Sequence, residues 1–340
     1  MNIGELLGKT PIVVDTTQIG HFLNGKNILV TGASGSIGSE LVRQICKHNP
    51  KSITFFDRNE EKVFYLEKEL NKDYPNIKIS PKLGSITDRR RADLIFEEIK
   101  PEIVFHVAAN KHVPLSEQNP HETVANNIGG ARNIIENAIK YGCESFIFVS
   151  TDKAVNPSSI MGHTKRLTEL YIQSIQKKYK TVFTIVRFGN VLGSSGSVVE
   201  IFNKQILEGE ITLTHPDMTR YFLTIPDACN LLLQSASYNE NGIYVLNMGD
   251  PIRIKDLANK MIDASGLEVK IKIVGIRQGE KITEELVSYS ENIENTPHSE
   301  IYKISSNLNN PAQLFFEILL LENDCNYISE SELRQRIKNI

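Results

Sequence analysis

The chain has 340 residues, a formal net charge of −3 and 40% hydrophobic residues. This balance is typical of a globular protein with a sizeable core and argues against a general nucleic-acid-binding protein. No apolar run reaches membrane-spanning length and no signal peptide is visible. We therefore expect a cytoplasmic protein, either naturally soluble or cut from a membrane-anchored parent. The four cysteines form no Cys-x-x-Cys pair, which predicts reduced thiols and no metal site.

Short apolar runs alternate with longer amphipathic segments up to about residue 190. The runs predict strands at residues 27–31, 52–56, 103–106, 146–149 and 183–186. The longer segments predict helices at residues 36–47, 60–70, 90–99, 121–141 and 161–178. This alternation predicts an α/β fold of the Rossmann type, with a doubly wound parallel sheet covered by helices on both faces. Shorter strands and longer loops after residue 190 predict a smaller C-terminal lobe.

A glycine-rich turn joins the first predicted strand to the first predicted helix. Glycines permit a tight turn and let the backbone approach a pyrophosphate, and the helix N-terminus offers free N–H groups to it. An ordinary glycine-rich connection is the alternative. With the acidic residue described next, we favour a dinucleotide site formed by Gly32, Ser34, Gly35, Ser36, Ile37 and Gly38.

The acidic residue that ends the second predicted strand is Asp57, nineteen residues after Gly38. Its carboxylate can accept hydrogen bonds from both hydroxyls of an adenosine ribose and would repel a 2′-phosphate. We therefore predict NAD as the cofactor. NADP is the less favoured alternative, because Arg58 could instead bind the 2′-phosphate.

The spacing Thr-Gly-x-x-Gly-x-x-Gly resembles that of the short-chain dehydrogenase/reductase superfamily. This resemblance places Ala108 and Ala109, which follow the strand at 103–106, beside the cofactor. It also places Ser85 and Ile86 near the adenine, although many members have Asp where this chain has Ser85.

Three reactive side chains, Thr151, Asp152 and Lys153, follow the strand predicted at 146–149. The ends of strands are where α/β sheets place ligands, and this row could perform acid–base chemistry; a polar turn with a surface ion pair is the alternative. The superfamily carries Tyr-x-x-x-Lys on the next helix, with both side chains on one face. Lys165 stands at the Lys position, but Met161, which cannot transfer a proton, stands at the Tyr position.

The segments 150–154 (Ser-Thr-Asp-Lys-Ala), 156–157 (Asn-Pro) and 161–166 (Met-Gly-His-Thr-Lys-Arg) resemble the CapD-like polysaccharide biosynthesis family. Its members include UDP-N-acetylglucosamine 4,6-dehydratases of the extended short-chain dehydrogenase/reductase type, many of which carry Met at the Tyr position. The resemblance covers nearly the whole chain and includes residues 5–11, 109–114, 187–193, 197–199, 214–222, 247–251 and 275–281.

The resemblance implies a three-step reaction on UDP-N-acetylglucosamine. C4 is oxidised, water is lost across C5 and C6, and hydride returns to C6, giving UDP-2-acetamido-2,6-dideoxy-4-keto-hexose for a bacterial surface glycan or glycoprotein. By the same resemblance, Lys153 is the C5 base and Asp152 the acid for the leaving C6 hydroxyl. Thr151 would hydrogen-bond the C4 oxygen, and Lys165 would hold the cofactor ribose.

The substrate's two phosphates call for cations, for which Arg220 and Arg277 are candidates. The full set of predicted substrate-binding residues is Lys111, His112, Asn127, Asn190, Ser197, Val198, Arg220, Arg277 and Glu280. We divide the chain into an N-terminal arm with a short helix (residues 1–25), an NAD-binding Rossmann domain (26–190), a lobe that mainly binds the UDP-sugar (191–310) and a C-terminal helical region (311–340).

Two other functions stay open at this point. A UDP-sugar 4-epimerase would use the same cofactor but needs no acid–base pair at C5 and C6. A non-catalytic dinucleotide-sensing protein would account for the missing Tyr but not for the Thr-Asp-Lys row. The superfamily resemblance also predicts a homodimer or higher homo-oligomer through the helices at 121–141 and 161–178.

Overall fold

A computed structural model of the protein describes residues 12–305 and 310–340. The strands are β1 (Asn27–Thr31), β2 (Ser52–Asp57), β3 (Lys78–Leu83), β4 (Ile103–His106), β5 (Ser145–Thr151), β6 (Val182–Phe188), β7 (Asn190–Leu192), β8 (Glu210–Leu213), β9 (Thr219–Arg220), β10 (Phe222–Thr224), β11 (Gly242–Leu246), β12 (Ile252–Arg253), β13 (Lys270–Ile273), β14 (Asn292–Asn295) and β15 (Ile301–Ser305).

Nine of these strands form one sheet in the order β14-β15-β11-β6-β5-β4-β1-β2-β3. The strands from β11 to β3 are all parallel, whereas β15 and β14 add an antiparallel edge. The predicted Rossmann-type parallel sheet is therefore confirmed. The five predicted strands match β1, β2, β4, β5 and β6 within two residues at each end. β3 was not predicted. It contains Pro81 and several polar residues, which are tolerated at a sheet edge.

Helices cover both faces of the sheet, each over its own apolar cluster. One cluster packs under the helices Thr16–Leu23, Ser36–Cys46, Glu60–Asp73 and Ile225–Ser237. The other packs under Arg89–Ile99, Pro120–Val124, Ala131–Lys140, Ile160–Ile175, Pro311–Asp324 and Glu330–Asn339. Side-chain oxygens of Asn59, Asp88, Ser159 and Thr224 cap four of these helices. Polar side chains are favoured just before a helix begins, because they accept hydrogen bonds from its unpaired N–H groups. All five predicted helices are present within three residues at each end; a π-helical turn, Ala125–Gly130, interrupts the one predicted at 121–141.

A smaller assembly lies beside the sheet and has its own apolar cluster. The helices Val198–Glu208 and Ile254–Ser265 pack there with the strand pairs β8–β13, β7–β10 and β9–β12. The main sheet draws β11, β14 and β15 from positions after residue 190. The smaller lobe is therefore present, while the large sheet is built from both sides of residue 190.

The C-terminal region forms two helices that pack on the helix Ile160–Ile175. Ile318 and Leu321 are buried, but Phe316 is 59% exposed, so the first of the two helices is half-buried. Phe315 stacks on Tyr171, with ring centroids 5.5 Å apart. The two C-terminal helices thus cover part of the surface predicted to bind a second subunit. Oligomerisation through that surface stays a prediction.

The remaining expectations concern membrane spans, metal sites, cysteines and the N-terminal arm. Within residues 12–305 and 310–340, no helix has the length and apolar character needed to span a membrane. The same part of the chain holds no cluster of three or more His, Cys, Asp or Glu side chains that could bind a metal ion. The four cysteines are buried and unpaired. The motif at residues 5–11 lies outside the described residues, and the predicted short helix of the arm is Thr16–Leu23.

Candidate active site

A cleft of about 610 Å³ follows the carboxyl ends of β1, β4 and β5. Most of the predicted site residues line it. They are Gly32, Ser34, Gly35, Ser36, Ile37, Gly38, Asp57, Arg58, Ser85, Ile86, Ala108, Ala109, Lys111, His112, Thr151, Lys153, Met161, Lys165, Asn190, Ser197 and Val198. Five predicted residues do not line it, namely Asp152, Asn127, Arg220, Arg277 and Glu280.

The glycine-rich turn leaves no room for side chains at two positions. Gly32 has φ +67°, and a Cβ there would lie 2.6 Å from the Ala108 backbone. A Cβ on Gly38 would lie 2.2 Å from the carbonyl oxygen of Gly32. No side chain caps the helix that begins at Ser36, so its first N–H groups are available to an anion. The turn therefore fits a dinucleotide diphosphate.

The Asp57 carboxylate is held at the end of β2 by backbone N–H groups. Its Oδ2 accepts from Ser34 N at 2.9 Å and its Oδ1 from Asn59 N at 3.0 Å. Each oxygen keeps a further lone pair for a ribose hydroxyl. Arg58 lines the same end of the cleft, as does Lys62, which was not predicted. Acceptors for a ribose and cations for a 2′-phosphate thus lie side by side.

The Thr-Asp-Lys row forms one hydrogen-bonded group. Thr151 Oγ1 and Lys153 Nζ both donate to Asp152 Oδ1, at 2.8 and 2.9 Å. Lys153 Nζ also donates to Asn190 Oδ1 at 3.1 Å. Asp152 is fully buried and lies behind Thr151 and Lys153, which line the cleft. The carboxylate therefore reaches the cleft through these two neighbours.

Lys165 and Met161 lie one turn apart on the helix Ile160–Ile175, and both line the cleft. Lys165 Nζ donates to the carbonyl oxygen of Val149 at 2.8 Å and lies 4.5 Å from the centroid of the Phe148 ring. Burial lowers the pKa of Lys165 to about 8. Met161 is buried and presents a thioether where a phenol would stand in other superfamily members.

The buried ammonium of Lys165 predicts an unusual stability profile. Because its pKa falls from 10.5 to about 8 on folding, the charged form costs the folded state about 3 kcal/mol at neutral pH. Lys165→Met should remove that cost and lose about 1 kcal/mol with the bond to Val149. We expect the variant to unfold at a higher temperature than the parent at pH 7.

Thermal melts at increasing pH measure this effect. The difference in melting temperature between Lys165→Met and the parent should shrink between pH 8 and 10.5. In that range the parent's buried amine becomes neutral, while the unfolded chain still holds the proton. Lys177→Met, which removes an exposed lysine after the same helix, is the control and should leave the melting temperature unchanged. A Lys165→Met protein less stable than the parent at pH 7 contradicts the prediction.

A serine-rich loop, residues 193–197, of which Ser197 alone was predicted as a site residue, crosses the cleft. Ser195 N donates to Ser36 Oγ at 3.0 Å, and Lys111 Nζ donates to Ser195 O at 2.9 Å. Burial lowers the pKa of Lys111. Gly196 has φ +70°, and a Cβ there would lie 2.7 Å from His112 Cε1, so a larger residue would be strained and would displace this ring. The loop thereby links the glycine-rich turn to the 111–112 segment; its Gly-Ser-Ser-Gly-Ser composition was the available signal.

Asn127 and Arg220 support loops instead of facing the cleft. Asn127 Oδ1 accepts from Asn110 N at 2.8 Å, and its Nδ2 donates to Asn110 O at 3.0 Å. Arg220 donates to the backbone oxygens of Lys281 and Ile282, at 2.8 and 3.0 Å. These contacts fix the 108–110 loop and the 281–282 segment beside the site.

Arg277 and Glu280 lie on a loop outside the cleft. The Arg277 side chain is exposed and that of Glu280 half-buried. Glu280 Oε2 accepts from Arg277 N at 3.3 Å. Their contact with a substrate stays a prediction.

The parallel sheet, the glycine-rich turn and a lysine facing the cleft from the next helix define a nucleotide-binding α/β protein of the short-chain dehydrogenase/reductase type. The family described as polysaccharide biosynthesis protein matches residues 28–306. The chain belongs to this family, as its motifs predict.

Named relatives and one solved structure are similar to the chain. CapD of Staphylococcus aureus, a capsular polysaccharide biosynthesis protein, is 44% identical over 89% of this chain. The matched region spans 52% of the length of CapD. The Campylobacter jejuni UDP-N-acetylglucosamine 4,6-dehydratase (inverting) is 34% identical over 78% of each chain. A UDP-glucose 4-epimerase of Rickettsia canadensis is 32% identical over 77% of this chain and 78% of its own. The X-ray structure of Pen from Bacillus thuringiensis has a TM-score of 0.76 at 32% identity, covering 88% of this chain and 99% of Pen.

Proposed function

We propose that the protein is a UDP-N-acetylglucosamine 4,6-dehydratase. The observation that carries the proposal is the group formed by Thr151, Asp152 and Lys153, in which a buried carboxylate shares hydrogen bonds with a hydroxyl and an amine that line the cleft. Elimination of water needs both a base at C5 and an acid at the C6 oxygen, and this group offers both. The name of the Campylobacter jejuni relative supports the substrate.

A nicotinamide dinucleotide fits the turn side of the cleft. Gly32, Gly35 and the N–H groups from Ser36 onward would hold its diphosphate, Asp57 its adenosine ribose, and Lys165 its nicotinamide ribose. When bound, it supplies hydride acceptance at C4 and hydride return at C6. Ala108 and Ala109, which line the cleft, would flank it.

The chain's own groups would handle the protons. Thr151 Oγ1 would relay the C4 hydroxyl proton to Asp152, and the acid so formed would protonate the leaving C6 oxygen. Lys153 Nζ would take the C5 proton and return it to C5 after hydride reaches C6. Thr151 Oγ1 would contact the C4 oxygen. Met161 would form an apolar wall, which excludes water from one side of the sugar and leaves proton transfer to the Thr-Asp-Lys group.

A UDP-sugar 4-epimerase is the second candidate, and the Rickettsia canadensis relative favours it. An epimerase needs only a proton acceptor and donor at C4, which the superfamily Tyr provides. Met161 removes that group, while the acid–base pair at C5 and C6 would be idle. The dehydratase therefore accounts for more of the residues in the cleft.

The test is incubation of the protein with UDP-N-acetylglucosamine and the cofactor, followed by mass spectrometry. A product lighter by one water supports the dehydratase. An isomer of unchanged mass supports the epimerase and contradicts our proposal. An unchanged substrate, with cofactor binding intact, favours the dinucleotide-sensing alternative.

The choice of cofactor gives a separate prediction. We expect NAD to bind about tenfold more tightly than NADP, because the Asp57 carboxylate repels a 2′-phosphate. Asp57→Ala should reverse the preference, since Arg58 and Lys62 remain to bind that phosphate. Calorimetric titration with both dinucleotides measures it, with the exposed Asp73→Ala as control. Preference for NADP in the unchanged protein contradicts the role given to Asp57.

A further inference from the structure

A second buried carboxylate lies beside the amine of Lys153. The Glu284 side chain is 4% exposed, and its Oε1 lies 3.6 Å from Lys153 Nζ. Asp152 Oδ1 and Asn190 Oδ1 are the other two oxygens around this nitrogen. An ammonium group has three N–H donors, and three oxygens lie near this nitrogen, those of Asp152 and Asn190 at hydrogen-bond distance and that of Glu284 at ion-pair distance.

Glu284 has few partners other than this amine. Among the described residues, the cations within ion-pair distance of Glu284 are Lys153 and Arg220, whose Nη2 lies 3.9 Å from Oε1. Its Oε2 is buried and makes no hydrogen bond within the described part of the chain. Burying a carboxylate is costly unless it is paired. Its presence here therefore indicates a role toward Lys153.

The segment that carries Glu284 is fastened alongside the segment that follows Lys153. Three side-chain contacts make this connection: Lys281 Nζ to Val155 O at 2.9 Å, Asn156 Nδ2 to Glu285 Oε2 at 2.6 Å, and Ser158 Oγ to Gly279 O at 3.0 Å. Arg220 adds its bonds to the backbone of residues 281 and 282. Glu284 is thereby held in a fixed place relative to the amine.

We propose that Glu284 is a positioning residue for Lys153, which holds the amine at one point of the cleft wall and stabilises its protonated form. The inference rests on the proposed function, because it concerns the amine that would act at C5. Among residues 12–305 and 310–340, the carboxylates within ion-pair distance of Lys153 are Asp152 and Glu284, and Arg220 lies 3.9 Å from Glu284. Removing the Glu284 charge leaves one carboxylate, so the ammonium group should give up its proton more easily.

The test compares Glu284→Gln with Glu294→Gln, which alters an exposed glutamate on β14. Dehydration of UDP-N-acetylglucosamine is followed over a pH series, with C5 deuterium incorporation as a second readout. For Glu284→Gln we expect the plateau kcat to fall about ten- to a hundredfold, as a misplaced group does, with KM changed less than about threefold. The acid limb of the kcat profile should move to lower pH. Glu294→Gln should retain the kcat, KM and profile of the parent.

Glu284→Asp keeps the negative charge on a side chain that is one methylene group shorter. It should lower the plateau kcat but leave the acid limb near its original pH. Cofactor binding and thermal melting show whether each variant folds; if Glu284→Gln does not, the Asp variant decides. The inference is overturned if folded Glu284→Gln keeps the parent's kcat and the acid limb of its pH profile, or if only its KM changes. If the Gln variant is unfolded, an Asp variant with the parent's kcat overturns it. A parent protein that releases no water refutes the proposed function before any variant is compared.

Discussion

Lys153→Met is expected to stop dehydration, with turnover lowered on the order of a hundredfold or more. The substitution keeps an unbranched side chain of similar length, so it removes the amine while disturbing packing little. The variant loses the nitrogen that donates to Asp152 and Asn190 and that would take the C5 proton. Turnover and deuterium incorporation at C5 in heavy water measure the effect. Cofactor binding should persist, because the glycine-rich turn is untouched.

Met161→Leu is the matched control on the same wall of the cleft. It roughly conserves volume and should cost less than about 1.5 kcal/mol in packing, with turnover close to that of the parent. The pair separates proton transfer from the shape of the cleft. Normal C5 exchange by Lys153→Met, or a folded Met161→Leu protein without activity, is incompatible with the roles we propose.

Arg187→Met is expected to destabilise the fold by about 3–5 kcal/mol. Arg187 is fully buried and pairs with two buried carboxylates, Glu169 at 2.7 Å and Glu291 at 2.8 Å. Ser150, the residue before Thr151, donates to Glu169 Oε1 at 2.6 Å. Without the guanidinium, both carboxylates stay buried without their main partner, and the support beneath the end of β5 is lost. Urea unfolding measures the free energy.

The same cluster predicts a pH dependence. Burial acts to raise the carboxyl pKa of Glu169 and Glu291, but Arg187 together with Arg166 and nearby hydrogen bonds outweighs it, so both pKa values lie below the ordinary 4.5. The stability from these groups is complete above about pH 4.5 and is lost as pH falls through the lower folded values. The difference between the parent and Arg187→Met should therefore shrink in acid.

The control for Arg187 is Arg253→Met, which breaks the exposed pair with Asp217 and should cost less than about 1 kcal/mol. If both variants lose similar stability, the buried cluster does not have the role we assign to it. A gap that widens in acid contradicts the assignment as well.

The sequence by itself determined the features that depend on neighbouring residues. Alternating apolar and amphipathic runs predicted five strands and five helices, because burial on a sheet or helix imposes its own period. The glycine-rich turn was recognisable because close backbone approaches at Gly32 and Gly38 admit no side chain. The four-residue step from Met161 to Lys165 put both on one helix face, and the motifs identified the family.

Only the tertiary structure decided how distant segments meet. It placed Asp152 behind the cleft wall, directed Arg220 to backbone oxygens, and brought Glu284 to Lys153. It also showed the serine-rich loop over the turn and the C-terminal helices on the helix Ile160–Ile175. A period in the sequence reveals which side of an element is buried but not what covers it, because such contacts join residues far apart along the chain. The partners of a charged side chain are therefore decided by packing.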